Sequence, residues 1–310
     1  MHAKRLVSPA DLTAADVEEL FAVSAELKRR LRQGIYEQQL LGKTLVAIFE
    51  KASLRTRLSF EVAMNQLGGR ALSVAQSEIK LGERESVPDA ARTVGRYADV
   101  IAVRTYAQRI VEQFARYAGV PVINALSDDH HPCQALADLL TIQERFGDLP
   151  KRRICFVGDG NNVARSLAWF CAKLGARFVL AAPKGYGFDE KFLARVRKDV
   201  GKDRLPISEV RDPAKAVRDA DVVYTDVWTS MGQEDKAQVR RVDLKDYQVN
   251  SELMAAAPKH AVVMHCLPAH RGEEITDDVI DGTQSIVFDQ AENRLHLQKG
   301  LIFLLLGGSV

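Results

Sequence analysis

Short apolar or β-branched runs alternate with longer stretches of helical period along this chain, and the alternation occurs twice. Such alternation is typical of parallel sheets covered by helices. The predicted strands are Leu45–Phe49, Arg70–Val74, Val100–Val103 and Val120–Asn124 in the first half, and Arg153–Val157, Phe178–Ala181, Asp221–Tyr224, Ala261–His265 and Ser285–Phe288 in the second. The predicted helices of the first half are 54–67, 88–97, 107–118 and 132–146. The sequence therefore predicts an α/β fold.

A turn-forming segment, residues 146–151, separates the two halves. Gly147 is suited to end a helix, and Pro150 cannot continue one. We place the domain junction here, which predicts two domains, each a parallel sheet flanked by helices, over residues 1–147 and 148–290. No sequence motif of the first half is repeated in the second, so an internal repeat is not supported.

Composition limits the partners of the protein. Of 310 residues, 27% are charged and 46% hydrophobic, which is typical of a compact globular protein. The net charge of +2 provides no global field for nucleic acid or anionic membrane, so any anion site must be local. The most apolar run, Leu301–Leu306, is too short to span a bilayer, and no apolar signal-peptide core follows Lys4 and Arg5. We expect a cytoplasmic protein.

The four cysteines, Cys133, Cys155, Cys171 and Cys266, are scattered without paired spacing. This distribution argues against a disulfide framework and against a structural zinc site. Cys155 and Cys171 are expected to be inert core residues.

The first candidate site is Ser53-Leu54-Arg55-Thr56-Arg57, which follows the first predicted strand and opens a helix, with Ser53 as its N-cap. A helix start offers unpaired amides and partial positive charge, and two hydroxyls and two guanidinium groups accompany them here. Such a set would bind a phosphate. The alternative is an ordinary capped helix with two solvated arginines.

A second candidate is His131-Pro132-Cys133-Gln134, which precedes a helix at the same predicted sheet edge as Arg104. The proline holds His131 extended, at the edge where open α/β sheets bind ligands. Both His131 and Gln134 could donate hydrogen bonds to a carbonyl.

In the second half, Gly158 and Gly160 follow a predicted strand, where a dinucleotide fold would place its glycines. The third glycine position is Val163, and no acidic residue clearly ends the next strand, so NAD is excluded. Asn161 and Asn162 at the helix start suit a carboxylate or an amide-bearing ligand instead.

Two further segments follow predicted strands of the second half. The loop Asp226–Gly232 could fold over an amino acid and pair Asp226 with an ammonium group, although an ordinary surface loop is the alternative. His265-Cys266-Leu267-Pro268 places a thiol at the same sheet edge.

Together with Phe288–Arg294, these segments resemble, in order and over nearly the whole chain, the transcarbamoylase family. The S-T-R-T-R motif of that family is similar to residues 53–57, and its H-P-x-Q motif to residues 131–134. Two other motifs resemble those of the ornithine-specific members: D-x-x-x-S-M-G at residues 226–232 and H-C-L-P at residues 265–268.

The resemblance implies a site for each substrate. The expected contacts of carbamoyl phosphate are Ser53, Leu54, Arg55, Thr56, Lys80, Arg104, His131, Gln134, Cys266, Leu267 and Arg294. The expected contacts of ornithine are Asn162, Asp226, Ser230 and Met231, and the expected catalytic residues are Arg55, Thr56, Arg104, His131, Asp226 and Cys266. Leu54 replaces the usual threonine, which requires its backbone amide to make the contact. Lys80 stands where many ornithine enzymes carry glutamine, in a loop (76–86) that family members extend into the neighbouring subunit's site.

The implied reaction is attack of the δ-amine of L-ornithine on carbamoyl phosphate to give L-citrulline and phosphate, with no metal or organic cofactor. The resemblance also implies a C-terminal helix (about 291–310) that returns to the N-terminal domain, a homotrimer or an assembly of trimers, and a role in arginine metabolism. The sequence does not distinguish arginine synthesis from arginine breakdown, because the reaction is reversible.

Alternatives remain open at this point. Another acceptor, such as putrescine, aspartate or an N-acylated ornithine, would keep the fold, but a free α-ammonium is the group that needs the counter-charge of Asp226. A catalytically silent anion-binding protein is a second alternative, because fold does not fix function. A nucleotide-dependent oxidoreductase is a third, weakened by Val163.

Overall fold

The computed structural model of the protein describes residues 1–229 and 234–310, so Ser230, Met231 and Gly232 lie outside the described residues. The chain divides into two compact units, one of Met1–Leu140 with Glu292–Val310 and one of Thr141–Ala291. Each unit contains one fully parallel sheet with helices, which confirms the predicted fold class.

The sheet of the first unit has the strand order β2-β1-β3-β4. Its strands are β1 (Thr44–Phe49), β2 (Arg70–Ala75), β3 (Val100–Arg104) and β4 (Val122–Leu126). Near the N-terminus, Leu6 forms a parallel bridge to Ile123. In β1, β3 and β4 nearly every residue is buried, as expected for strands covered on both faces.

The helices of this unit are α1 (Ala14–Arg32), α2 (Leu54–Asn65), α3 (Gln76–Ile79), α4 (Val87–Val94), α5 (Gln108–Tyr117) and α6 (Pro132–Phe146), of which α6 continues into the second unit. The core includes Phe114 of α5 and Ile48 and Ile101 of the sheet. The C-terminal helix α13 (Val287–Leu305) returns to this unit, where Lys28 Nζ of α1 donates to Asn293 Oδ1 at 2.8 Å. The predicted return of the C-terminal helix is therefore confirmed.

The sheet of the second unit has the strand order β7-β6-β5-β8-β9. Its strands are β5 (Arg153–Val157), β6 (Arg177–Ala181), β7 (Ile207–Val210), β8 (Val222–Thr225) and β9 (Val262–His265). Its other helices are α7 (Asn162–Leu174), α8 (Glu190–Val200), α9 (Pro213–Val217), α10 (Ala237–Leu244), α11 (Ser251–Ala255) and α12 (Asp277–Ile280). Short 3-10 turns occur at Pro9–Asp11, Leu149–Lys151, Glu234–Lys236 and Lys245–Tyr247.

The predicted strand Ser285–Phe288 is wrong. Ser285 makes only an isolated bridge to Val263, and α13 already begins at Val287. The Gln290 amide donates to the Ile286 carbonyl at 2.9 Å, which closes the first helical turn through the β-branched run. Local β propensity is a weak preference that a helical hydrogen-bond pattern can override.

Of the four free cysteines, Cys133, Cys155 and Cys171 are buried and Cys266 is half-buried. Burial raises the pKa of Cys155 to about 12, as expected for an inert core thiol. Among the described residues, no helix combines the length and the apolarity needed to cross a membrane.

Candidate active site

One cluster of candidate residues lies in the first unit, at the start of α2 and directly after β1. Ser53 caps the helix: its Oγ accepts from the Thr56 amide at 3.4 Å and donates to Thr56 Oγ1 at 3.0 Å. The predicted N-cap is thus confirmed. The amides of the first helical turn lie at the carboxyl end of the parallel sheet, where open α/β sheets bind ligands.

Two arginines converge on Thr56. Arg104, at the end of β3, donates from Nη1 to Thr56 Oγ1 at 3.4 Å. Arg294 of α13 donates from Nη2 to the same oxygen at 2.8 Å. All three side chains are buried, so two guanidinium charges are concentrated around one hydroxyl in a region of low dielectric. This arrangement favours a phosphate or another anion.

His131 lies in the field of these arginines. Burial, followed by the charges of Arg294 and Arg104, holds the pKa of His131 well below its usual value of 6.5. The imidazole is therefore neutral at physiological pH. A neutral ring carries one N–H donor and adds no further positive charge to the two guanidinium groups.

We expect this neutral state to make folding stability depend on pH. Below about 6.5, the unfolded chain protonates His131 while the folded chain does not, so stability falls as the pH drops. The contribution is at most about 1.4 kcal/mol per pH unit. Urea unfolding between about pH 5 and 7.5 should show a shallower pH dependence for His131→Gln than for the parent protein. Identical slopes would contradict the assignment.

Gln134, a predicted donor to a ligand carbonyl, already donates one hydrogen bond from its amide nitrogen within α6. Its Nε2 donates to Asp138 Oδ1 at 2.8 Å, and both side chains are buried on α6. Cys133, between His131 and Gln134 in the motif, has a pKa raised to about 12 by burial, and its thiol faces the Asn124 carbonyl at 3.5 Å. Cys133 is therefore a core residue.

The remaining residues predicted in the first unit are more exposed. Arg55 is half-buried, whereas Arg57 is exposed and donates to Glu61 Oε1 at 2.9 Å. The Leu54 side chain is 70% exposed, so only its backbone is suited to hold an anion. Lys80 is exposed and has a left-handed backbone, with φ of 40°.

A separate cluster in the second unit is centred on Asp226, directly after β8. Its Oδ1 accepts from the Cys266 thiol at 2.9 Å and from the Val227 amide at 2.8 Å. Its Oδ2 accepts from Asn161 Nδ2 at 2.8 Å. The structure thus brings Asp226 and Cys266 together, and these bonds hold the carboxylate in one orientation at the carboxyl end of the sheet.

Asn161 is a residue whose contact with Asp226 the sequence did not predict. Its Oδ1 caps α7 by accepting from the Val163 and Ala164 amides, each at 3.0 Å, and this leaves its amide nitrogen for Asp226. The predicted Asn162 is the next residue and the first of α7. The sequence contained one indication of this contact: two consecutive asparagines at a helix start, either of which could be the N-cap.

Asp159 and Arg240 support the segment that follows Asp226. Arg240 donates to the Asp159 carboxylate and to the Trp228 carbonyl, and all three residues are largely buried. Burial raises the pKa of Asp159, and the nearby charge of Arg240 opposes that rise. This pair fixes the end of the described part of the loop.

His265 holds the neighbouring loop. Its Nδ1 accepts from the Leu267 amide at 2.8 Å, so Nε2 carries the proton and faces Glu274 Oε1 at 3.1 Å. The peptide bond between Leu267 and Pro268 is cis, and Leu267 has a positive φ of 54°. The two hydrogen bonds of His265 hold the backbone next to Cys266.

Within residues 1–229 and 234–310, two groups of side chains have the chemistry of metal ligands. One is Asp226, His265 and Cys266, and the other is His270, Glu273 and Glu274; in each, the ligand atoms lie within 4.8 Å of one another. In the first group both ring nitrogens of His265 are already hydrogen-bonded. In the second, Glu273 pairs with Arg241 at 2.7 Å. Hydrogen bonds and ion pairs thus account for both arrangements.

Comparison with known proteins identifies the family of this chain. Residues 4–144 match the family described as aspartate/ornithine carbamoyltransferase, carbamoyl-P binding domain, and residues 151–305 match its Asp/Orn binding domain. The chain belongs to the aspartate/ornithine carbamoyltransferase family, as the sequence resemblance predicted.

Within that family the chain is similar to ornithine carbamoyltransferases. It is 50% identical over 303 residues to that of Methanopyrus kandleri, covering 97% of each chain. It is 49% identical over 298 residues to the anabolic ornithine carbamoyltransferase of Pyrococcus furiosus, covering 96% of this chain and 95% of that one. A solved structure of ornithine carbamoyltransferase from Pyrococcus furiosus has a TM-score of 0.94 to this chain at 48% identity, covering 99% of each.

Proposed function

We propose that this protein is an ornithine carbamoyltransferase, which transfers the carbamoyl group of carbamoyl phosphate to the δ-amine of L-ornithine and releases L-citrulline and phosphate. The observation that carries the acceptor assignment is the buried Asp226 carboxylate, oriented by Asn161 and Cys266. The 50% identity to an ornithine carbamoyltransferase over 97% of each chain supports this assignment.

We assign carbamoyl phosphate to residues 1–147 and 291–310. Ser53, Arg55 and the backbone of Leu54 bind the phosphate at the start of α2, with Arg294 adding charge. Thr56, Arg104 and His131 polarise the carbonyl and stabilise the oxyanion of the tetrahedral intermediate. Loss of one such preorganised donor typically costs about 10²- to 10³-fold in rate.

We assign ornithine to residues 148–290. Asp226 pairs with the α-ammonium group, and Asn162 and Ser230 bind the α-carboxylate. Met231 is a further assigned contact of ornithine. Cys266 is assigned to the reacting δ-nitrogen and, with Leu267, to the carbamoyl group. A carboxylate that is already oriented pays less ordering entropy on binding.

The nucleophile must be an uncharged amine. An alkyl ammonium titrates near about 10.4, so ornithine loses a δ-proton on binding or during attack. The departing phosphate accepts the final proton. The protein therefore has two tasks: it neutralises the charge of the phosphate, and it binds ornithine so that the δ-amine can react without its extra proton.

The test is ureido-product formation from carbamoyl phosphate with ornithine, beside putrescine, aspartate and N-acetylornithine. Citrulline formation, with ornithine as the preferred acceptor, is expected. Preference for another acceptor would overturn the role of Asp226, and no product with any acceptor would favour a catalytically silent protein.

The assembly we propose is a homotrimer, alone or within a larger assembly of trimers. On α2, Leu54, Leu58 and Val62 recur every four residues and are 70%, 48% and 37% exposed. Leu72, on the edge strand β2, is also exposed. Contiguous exposed apolar side chains mark interaction surfaces, and a second copy of this chain is the proposed occupant.

We expect Leu58→Glu to disrupt this assembly, because it buries a charge in the contact. Light scattering should give three times the chain mass of 34.4 kDa, or a multiple of that, for the parent protein and 34.4 kDa for the variant. Val239→Glu, at an exposed apolar site of α10, is the matched control and should keep the parent mass. An unchanged mass for Leu58→Glu, or full activity of its monomer, would contradict an assembly in which the loop bearing Lys80 completes a neighbouring site.

The relative named anabolic supports the direction from ornithine to citrulline, within arginine synthesis. Coupled assays at cellular substrate concentrations would measure that direction. The cytoplasmic location stays a prediction of the sequence.

A further inference from the structure

Gln134 and Asp138 form a buried pair one turn apart on α6. Gln134 is 1% exposed and Asp138 is 0% exposed. The Gln134 amide nitrogen donates to Asp138 Oδ1 at 2.8 Å. A carboxylate only accepts hydrogen bonds, so Asp138 determines which end of the amide faces it. The oxygen of Gln134 must point the other way.

That oxygen is a buried acceptor. Gln134 Oε1 has no hydrogen-bond partner among the residues that the structure describes. Buried acceptors in proteins are normally satisfied, so the partner of this oxygen requires an explanation, and a bound ligand is one. His131, the residue directly before α6, is affected by the charges of Arg104 and Arg294, and Gln134 follows in the first turn of that helix. We therefore include Gln134 in the proposed carbamoyl phosphate site.

Gln134 is the residue that the family resemblance assigns to carbamoyl phosphate. We propose that Asp138 is the positioning residue that holds the Gln134 oxygen toward the amino group of the carbamoyl moiety, and that this positioning maintains the preference of the site for a carbamoyl over an acetyl group. The inference rests on the proposed function. The carbamoyl and acetyl groups have nearly the same shape, and they differ in that the first offers N–H donors and the second a methyl. Binding the methyl leaves Gln134 Oε1 buried and unsatisfied, which typically costs about 10- to 100-fold in affinity.

Two stable phosphonates isolate this contact. Phosphonoacetamide and acetonylphosphonate share the phosphonate and carbonyl and differ in amino against methyl, and calorimetry measures both without turnover. The parent protein should bind the amide about 10- to 100-fold more tightly. Asparagine both donates and accepts hydrogen bonds, so Asp138→Asn allows the Gln134 side-chain amide to rotate by about 180°. The preference for phosphonoacetamide over acetonylphosphonate should then fall to about threefold or less. Inorganic phosphate should bind the two proteins equally.

A swapped pair separates positioning from a general structural role. In Gln134→Glu combined with Asp138→Asn, the asparagine amide donates to the new carboxylate, whose second oxygen remains an acceptor. The net charge is that of the parent protein. We expect this double variant to regain at least half of the lost preference, on a logarithmic scale.

The outcomes are distinct. Retention of the full preference in Asp138→Asn, or an equal loss of phosphate affinity, would overturn the positioning role. Equal binding of the two phosphonates by the parent protein would overturn the inference and leave the proposed function intact. Binding of neither phosphonate nor phosphate would overturn the carbamoyl phosphate assignment itself. If Asp138→Asn does not fold, the swapped pair alone carries the test, because failure to prefer the amide would then refute the inference.

Discussion

Replacing Arg55 by alanine is expected to weaken carbamoyl phosphate binding by about 10²- to 10³-fold, the largest single effect we predict. Arg55 is half-buried in the first turn of α2, where the helix dipole disfavours a cation. A guanidinium group in that position is readily explained if a bound anion compensates both the charge and the helix N-terminus. Calorimetric titration with phosphonoacetamide measures the loss without turnover.

Arg57 provides the matched control, because it lies in the same helical turn and differs in its partner. Its guanidinium group is exposed and paired with Glu61. Arg57→Ala should therefore leave affinity within about threefold of the parent, since exposed ion pairs contribute little. Near-normal binding by Arg55→Ala, or equal losses in both variants, would remove the phosphate site from the start of α2.

The sequence predicted the sheets well because buried parallel strands are continuous apolar runs. β1, β3 and β5 fall within a residue or so of their predicted bounds. The predicted strand Val120–Asn124 begins two residues later, at Val122, and β7 was not predicted. β7 is a four-residue edge strand, Ile207–Val210, with polar residues in its middle, so it lacks the continuous apolar signal.

Local chemistry of the site was predictable where one motif forms one contact, as with the Ser53 cap on Thr56. Contacts between distant segments were not. Arg294 is 238 residues from Thr56, and Asn161 is 65 residues from Asp226. Such contacts depend on the strand order and on the return of α13 to the first unit. The local pattern of residues does not specify either of them.

The chemistry of individual groups also required the structure. The sequence treated His131 and Gln134 alike as donors. Burial beside two arginines makes His131 neutral, and Asp138 engages the amide nitrogen of Gln134. A sequence gives the functional group, whereas its protonation and orientation come from its neighbours.

Asp226→Asn is expected to lower kcat/KM for ornithine by about 100-fold, mainly through KM, while KM for carbamoyl phosphate changes by less than about threefold. Asparagine keeps the shape of the side chain but removes the charge that pairs with the α-ammonium group. A charge-assisted hydrogen bond in a buried site is worth about 1.5 to 3 kcal/mol, which sets the size of the loss. Steady-state kinetics with each substrate varied in turn measures both constants.

A truncated acceptor and a second aspartate make this prediction specific. The parent protein should use 5-aminopentanoate, which lacks the α-amino group, far less well than ornithine, and Asp226→Asn should lose most of that preference. Asp221 lies at the opposite end of β8, where it accepts from the Arg153 amide at 2.8 Å and pairs with His260. Asp221→Asn should therefore lower stability and leave KM for ornithine unchanged. If Asp226→Asn keeps the preference for ornithine, the α-ammonium group is bound elsewhere, and the acceptor assignment loses its main support.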